Sequence, residues 1–395
     1  MERTHARIAV VGGGIGALTA ALTLARAGHE VTCYEQAQAL REVGAGIQLG
    51  PNAARVLHRL GLAEALGATA VQPVAVEVRR WDDGRLLAVT ACNPEVERLY
   101  GAPYYTLHRA DLHSVLCAAV PAGALVLGAR CTGVHARGRE VALEFADGTT
   151  RTADAVVGAD GIHSQVRRTL VDDEPRFAGK LAYRVLVPAG RVPALADPPK
   201  VRIWPGPGKH VVAYPVSNGR LINLGAAIPA AAHAPESWTH ATRAVELGAH
   251  LRGWHSDVRA LVDAADDALV FALHDRTPAP PVGAGLVTLL GDAAHPMLPF
   301  FAQGAAQAIE DAGVLGRCLA GAGPASLAAG LRRYERARGP RTAEVQRRSV
   351  RNGWLFQLPD GLRQWARDRM LRRLTLHSFA WLYGYDAGTV ALPAA

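Results

Sequence analysis

The sequence predicts an α/β fold: a doubly wound parallel sheet with helices, interrupted by an inserted antiparallel sheet and closed by C-terminal helices. Three observations carry this. A short apolar strand, Arg7–Val11, runs straight into Gly12-Gly13-Gly14-Ile15-Gly16-Ala17 and a helical pattern. A second strand-loop-helix unit occupies 286–319, with a glycine-bounded apolar run, a Gly291-Asp292 turn and an apolar stripe at Ala308, Ala312, Leu315 and Leu319. Between them, residues 178–275 read as short strands separated by turn residues, which is antiparallel patterning.

In the first unit, Gly12 makes the tight turn and Gly14 leaves backbone amides open to a pyrophosphate. Ala17 takes the third small position of G-x-G-x-x-G/A, and Gly28 closes the helix. The next strand, Glu30–Tyr34, ends at Glu35, close to the ~20-residue offset at which an acid accepts from ribose hydroxyls. Glycines 44, 46 and 50 keep a bare segment suited to close approach of a flat ring, and Pro51-Asn52 opens a helix. Runs 74–80 and 85–90 read as a hairpin joined at Asp83-Gly84, a two-residue turn signal. Asp111 is the expected cap of the helix that follows. Three strand-like runs lie between 125 and 157, with turns at Arg137-Gly138 and Asp147-Gly148. They end in Ala155-Val156-Val157, the Asp160-Gly161 turn and a helix begun by Ser164. Runs 201–204, 211–215 and 221–228 form the inserted sheet with the 74–90 hairpin, and a helix at 238–250 packs on it.

The predicted domains are 1–73, 98–177 and 276–345 for the dinucleotide-binding part, and 74–97 with 178–275 for the inserted part. A C-terminal helical segment follows at 346–395.

Composition excludes several classes. No apolar run approaches the ~18 residues of a membrane span, and the chain enters a strand too early for a signal peptide. Five scattered cysteines without a Cys-x-x-Cys argue against a disulfide framework or a metal site and for a reducing cytoplasm. The net charge of +8 is arginine: only Lys180, Lys200 and Lys209 are lysines. Many arginines, Arg338 and Arg367 among them, fall between 332 and 373. With no nucleic-acid motif beside them, they read as a solvated helix face rather than a nucleic-acid or membrane surface. Glu310 and Asp311, adjacent on a helix, point different ways and do not form a carboxylate dyad.

Three motifs stand in a familiar order: GGGIGA at 12–17, GADG at 158–161, and GDAAHP at 291–296 followed by QGAAQAIEDA. Together they resemble the single-component FAD-dependent aromatic hydroxylases of the para-hydroxybenzoate hydroxylase fold, close to salicylate and hydroxynicotinate hydroxylases. The likeness spans nearly the whole chain and includes GAGIQLGPNA, LHRADLH, GKHVVAYPV and LPDG. It implies a Rossmann-type FAD-binding domain with Gly12, Gly14 and Ala17 at the pyrophosphate and Glu35 at the adenosine ribose. Arg109 would support the phosphate and ribose region, Asp160 would serve FAD and the nicotinamide donor, and Asp292 would hold the ribityl chain. Gly304 and Ala305 would offer amides to the flavin N1–O2 edge, where a helix N-terminus favours negative charge. With a single dinucleotide fingerprint, NADH or NADPH is expected to bind transiently in a groove. The resemblance also implies oxygen transfer through a flavin C4a-hydroperoxide to an electron-rich ring, with decarboxylation where the attacked carbon bears a carboxylate.

On the substrate side the resemblance places Tyr214 against the ring; its other reading is a core-edge tyrosine. Gln48 stands where some relatives carry a catalytic histidine, and Pro299 where relatives carry a polar residue. With Phe300-Phe301 these departures point to a greasier or larger substrate than a bare hydroxybenzoate. Arg184 reads either as a partner for a substrate carboxylate or as a structural salt bridge. His210 and His295 read as backbone-capping histidines rather than bases. Expected partners are a small aromatic substrate, O₂ and NAD(P)H, with no nucleic acid, no metal and no membrane span, in a monomer or homodimer. The rivals are an FAD-dependent reductase of the same fold and a non-catalytic flavin- or nucleic-acid-binding protein.

Overall fold

Arg7–Val11 lies inside a six-stranded sheet because its alternate side chains pack against both covering layers, and four of its five residues are buried. The order across the sheet is Gly283–Ala284, Val287–Leu289, Ala155–Gly158, Arg7–Val11, Glu30–Tyr34, Leu125–Val126. All pairs are parallel except the 283–284 edge. The computed structural model describes residues 5–40, 44–230, 241–278 and 282–394.

One face of this sheet packs against the helices Ile15–Arg26 and Gly304–Leu319, whose small residues let them approach closely. A Cβ on Gly316 would meet Thr23 at 2.9 Å, and one on Gly16 would meet Leu290 at 2.8 Å. The other face carries a three-stranded antiparallel sheet, Cys131–Arg137, Glu140–Phe145 and Thr150–Ala153.

The inserted sheet has eight strands in the order Ala241–Arg243, Asp267–Asp275, Arg176–Pro188, Leu221–Pro229, Lys209–Val216, Lys200–Gly206, Ala75–Arg79, Leu86–Ala91. It is antiparallel with one exception: Lys200–Gly206 runs parallel to Ala75–Arg79, so the sheet is mixed. Its longest strand, Arg176–Pro188, and its partner Asp267–Asp275 lack the clean alternation that would mark them in sequence. The 75–91 hairpin closes through a four-residue loop rather than a two-residue turn, since Arg80 N donates to Arg85 O at 2.8 Å. Of the helix expected at 238–250, residues 238–240 lie outside the described ones, 241–243 form an edge strand and the helix is Ala244–His250.

The helix Leu327–Phe356 runs unbroken through 345–346, even across Pro340, and Leu362–Leu371 follows it. The final segment then folds back over the first half of the chain. Its main-chain carbonyls accept from arginines: Arg55 on Tyr385, Arg341 on Leu382, Arg317 on Val390, Arg333 on Pro393 and Arg336 on Ala394.

The arginine-rich helix is not simply a solvated face. Arg338 is 2 % exposed and Arg367 3 %. Arg338 Nη1 donates to Glu310 at 2.7 Å and its Nε to Asp311 at 2.6 Å, so two carboxylates on adjacent helical positions converge on one guanidinium. Arg341 adds a bond to Glu310 at 3.1 Å, and Asn52 Nδ2 donates to the same carboxylate at 2.6 Å. Burial alone would raise Asp311; His295 and Arg338 outweigh it and bring the group down to about 2.

Candidate active site

Where the six-stranded sheet ends and the eight-stranded sheet begins, a cleft of about 770 Å³ passes between them. Its position outside the carboxyl ends of parallel strands is where α/β folds bind ligands. Of the residues singled out in sequence, Gly12, Gly14, Glu35, Gln48, Arg109, Asp160, Tyr214, Asp292, Pro299, Gly304 and Ala305 all line it. Ala17 does not: it is fully buried in the 15–26 helix and holds that helix against the sheet.

The first end of the cleft is made of backbone. Gly12 has φ +118°, and a Cβ there would lie 2.5 Å from Ala159 O, so only glycine fits the turn. Above Gly14 there is open space to 4 Å, the clearance a phosphate group needs. Glu35 faces Gly13 and accepts from Ala37 N at 2.8 Å with one oxygen. Asp160 spends both oxygens on the start of the next helix: Ser164 Oγ donates to one, and Gln165 N at 2.7 Å and Val166 N at 3.2 Å to the other. Burial nonetheless pushes its pKa up. Ser164 caps that helix as expected, accepting from Arg167 N.

Asp292 shows its surface to the cleft yet lies deep among protein atoms, and burial raises its carboxyl pKa, with His295 and Arg109 pulling the other way. Its side chain makes no hydrogen bond among the described residues. The loop that carries it is anchored from behind by Asp311, whose Oδ2 accepts from Gly291 N at 3.0 Å and pairs with His295 Nε2 at 2.6 Å. His295 therefore caps no backbone group; it joins the buried ion cluster. Just beyond, Ala302 takes a left-handed conformation, φ +51°, and turns the chain into Gly304–Leu319 with its first amides at the cleft.

The second end is made of side chains on the inserted sheet. On Lys209–Val216 the alternate residues His210, Val212 and Tyr214 face the cleft while Val211 and Ala213 join the core behind. Arg184 projects from Arg176–Pro188 and has no carboxylate partner among the described residues, so the salt-bridge reading fails. Tyr214 is 2 % exposed; burial raises its phenol pKa, while hydrogen bonds with Arg184 and Gln48 lower it. His210 is neither a base nor a backbone cap: burial, with Lys180 and Arg184 nearby, pushes it down to about 3, and its Nδ1 bonds Gln357 Nε2 at 2.9 Å. Pro299 and Phe300 wall this end, but Phe301 turns away onto Trp381.

One expectation is corrected here. The helix at 109–119 is capped by His108, whose ring accepts from Ala110 N, while Asp111 instead accepts from Ser217 Oγ at 2.8 Å. Gly46 lines the cleft, as a segment suited to a flat ring would, and the glycines at 44, 46 and 50 are in addition required by protein side chains. Added Cβ atoms would strike His108, Tyr214 with Asn223, and Asn52 with Tyr383 respectively.

A glycine turn, a carboxylate without a hydrogen bond among the described residues and helix-start amides turned to the cleft fit the length and charge of FAD, and define a flavin-dependent oxidoreductase. The FAD binding domain family matches residues 5–349, and the chain belongs to it, among the FAD-dependent aromatic monooxygenases. It is 49 % identical to 3-amino-4-hydroxybenzoate 2-monooxygenase of Streptomyces platensis over 97 % of each chain. It is 36 % identical to 6-hydroxynicotinate 3-monooxygenase of Pseudomonas fluorescens, covering 98 % of this chain and 96 % of that one. Among solved structures, Klebsiella pneumoniae HpxO complexed with FAD and uric acid superposes with a TM-score of 0.84 at 27 % identity, covering 94 % of each chain. A salicylate hydroxylase substrate complex gives 0.82 at 28 %, covering 98 % and 97 %. The cofactor is FAD. No helix among the described residues is long and apolar enough to cross a membrane, and no group of three or more His, Cys, Asp or Glu there is placed to hold a metal.

Proposed function

We propose that this monooxygenase hydroxylates a small phenolic carboxylic acid of the hydroxybenzoate or aminohydroxybenzoate type, with NADH or NADPH as reductant. The observation that carries it is Arg184, a guanidinium facing the cleft beside Tyr214 with no carboxylate among the described residues to pair with. The 49 % identical relative named for 3-amino-4-hydroxybenzoate supports the same class. This is a more polar substrate than the Pro299–Phe300 wall suggested.

Bound FAD, once reduced, supplies activated oxygen; one atom of O₂ enters the ring and the other leaves as water while NAD(P)H is oxidised. The protein's part is to hold and orient. Gly12, Gly14 and the Ala17-packed helix would seat the pyrophosphate, and Glu35 and Arg109 the adenosine side. Asp160 would keep the loop beside it in place. Asp292 would accept from the ribityl hydroxyls, and the amides of Gly304 and Ala305 would favour negative charge on the reduced ring by about 0.3–2 kcal/mol. Arg184 would hold the substrate carboxylate, and Tyr214 and Gln48 its phenolic oxygen. Pro299 and Phe300 would exclude water from the ring face. His210, held neutral, would not act as a base.

We further propose the two-part division at 74–97 and 178–275, supported by the separate sheets, and action in the reducing cytoplasm as a monomer or homodimer. None of the five cysteines is in a disulfide, which suits that compartment. The test is a panel of hydroxybenzoates, aminohydroxybenzoates and hydroxypyridines, following NAD(P)H oxidation, O₂ uptake and product mass. A product heavier by one oxygen is expected for at least one phenolic acid; product formed without O₂ uptake would assign the chain to the reductases of this fold. Light scattering decides the oligomeric state.

A further inference from the structure

We propose that Tyr104, which does not line the cleft, is a positioning residue: it fixes the direction of a hydrogen-bond chain that runs from Tyr104 to Gln48, from Gln48 to Tyr214, and from Tyr214 to the phenolic oxygen of the substrate. The inference rests on the reading of the substrate as a phenol and adds a residue that no motif marks.

The chain starts from a fixed point. Tyr104 is buried, and its main chain is clamped on both sides by Asn93, which accepts from Tyr104 N at 3.0 Å and donates to Tyr104 O at 2.8 Å. Its ring packs edge-on against Tyr383, at 6.0 Å between centroids. From there its hydroxyl donates to Gln48 Oε1 at 2.6 Å. A glutamine amide has one accepting and one donating end, so once the oxygen is taken the remaining contacts are donations. Gln48 sits on Gly46–Leu49, whose pairing with Tyr105–His108 sets it beside Tyr104, and it faces Tyr214 across the cleft wall.

Tyr214 shares the cleft wall with two groups that can only donate to it, the Gln48 amide once its oxygen is taken and the Arg184 guanidinium, and both hold its phenol pKa down against burial. With donors facing its oxygen and no acceptor for its hydrogen among the described residues, the O–H is left for the cleft. Arg184 itself is held close over Gly225, where a Cβ would come within 2.8 Å of it. A site that presents a donor polarised by donors behind it favours a phenolate over a phenol, and aligned bonds of this kind strengthen one another. The activated ring is the one oxygen transfer needs. Without the Tyr104 hydroxyl the Gln48 amide is free to turn its oxygen to Tyr214, whose hydrogen would then point back into the protein.

A double-mutant cycle tests this. Tyr104→Phe keeps the ring and its edge-on packing on Tyr383 while removing the hydroxyl that faces Gln48 and Tyr383, and Gln48→Ala cuts the chain while leaving the Tyr104 ring in place. Each is expected to lower kcat on 3-amino-4-hydroxybenzoate, or on the best phenol of the panel, about two- to tenfold. FAD content and the KM for NAD(P)H should stay as in the wild type. In the Gln48→Ala background, adding Tyr104→Phe should change kcat less than about twofold, because the two act in series. Separately, the ultraviolet difference spectrum of bound 3-amino-4-hydroxybenzoate should show its phenol ionising at higher pH in Tyr104→Phe than in the wild type. Losses that multiply in the double variant, or a bound phenol whose ionisation ignores Tyr104→Phe, overturn the proposal. The spectrum needs no turnover. A wild type that shifts the bound phenol but forms no hydroxylated product would refute the substrate reading alone.

Discussion

The two ends of the cleft are built from different material. The end proposed for the cofactor is strand termini, turns and helix starts, where 12–16, 159–163 and 291–305 bring main-chain groups to the cleft. The substrate end is side chains standing on alternate positions of a sheet, contributed by strands that are far apart in sequence. Backbone sites demand glycine or a cap at fixed spacing, so their chemistry is tied to the fold. Side-chain sites demand only that a residue face inward, so they change without disturbing what lies beneath.

That contrast can be broken or sharpened by substitution. The largest effect is expected beneath the cofactor end, where Arg338→Ala would leave Glu310 and Asp311 buried without their shared cation. A loss of about 3–5 kcal/mol is expected and is read from chemical denaturation; a change under 1 kcal/mol would mean that water replaces the guanidinium. Next, Asp292→Ala is expected to weaken FAD binding about ten- to a hundredfold with the melting temperature of the FAD-free protein little changed, measured by flavin absorbance after desalting. A fully yellow variant would remove Asp292 from the cofactor site. Third, Asp311 is held below its ordinary range in the folded state, so its contribution is complete above about pH 4. It is lost as the pH falls towards about 2. Acid titration of stability should therefore be flatter in Asp311→Asn over that window. Tyr214→Phe should slow hydroxylation about two- to tenfold while leaving FAD affinity intact; if FAD binding falls instead, the two ends are not separable. The smallest effect belongs to the surface: Glu344→Gln breaks exposed pairs with Arg347 and Arg348 and should cost under about 0.5 kcal/mol.

The same contrast decides what was legible in the sequence. Gly12, Gly14, Asp292 and the start of the 304–319 helix were readable because a turn, a phosphate clearance and a helix end each need a particular residue in a particular place. The end proposed for the substrate was readable only at Tyr214, Gln48 and Pro299, through resemblance. Arg184 stayed ambiguous, because whether a guanidinium is paired depends on strands brought together by the sheet. Arg338 was misjudged for the same reason: its helix is rich in exposed arginines, and nothing local separates the one that faces Glu310 and Asp311. Periodicity also missed Arg176–Pro188 and Asp267–Asp275, which have apolar contacts on both faces and so lack clean alternation.

The closing segment is tied down twice over, through carbonyls that accept from arginines and through the side chains of Trp381, Tyr383, Tyr385 and Asp386. Shortening it would strand several guanidiniums at once and withdraw Tyr383 from Tyr104, so trimming the tail would be felt at the ring-binding end long before the nucleotide end noticed.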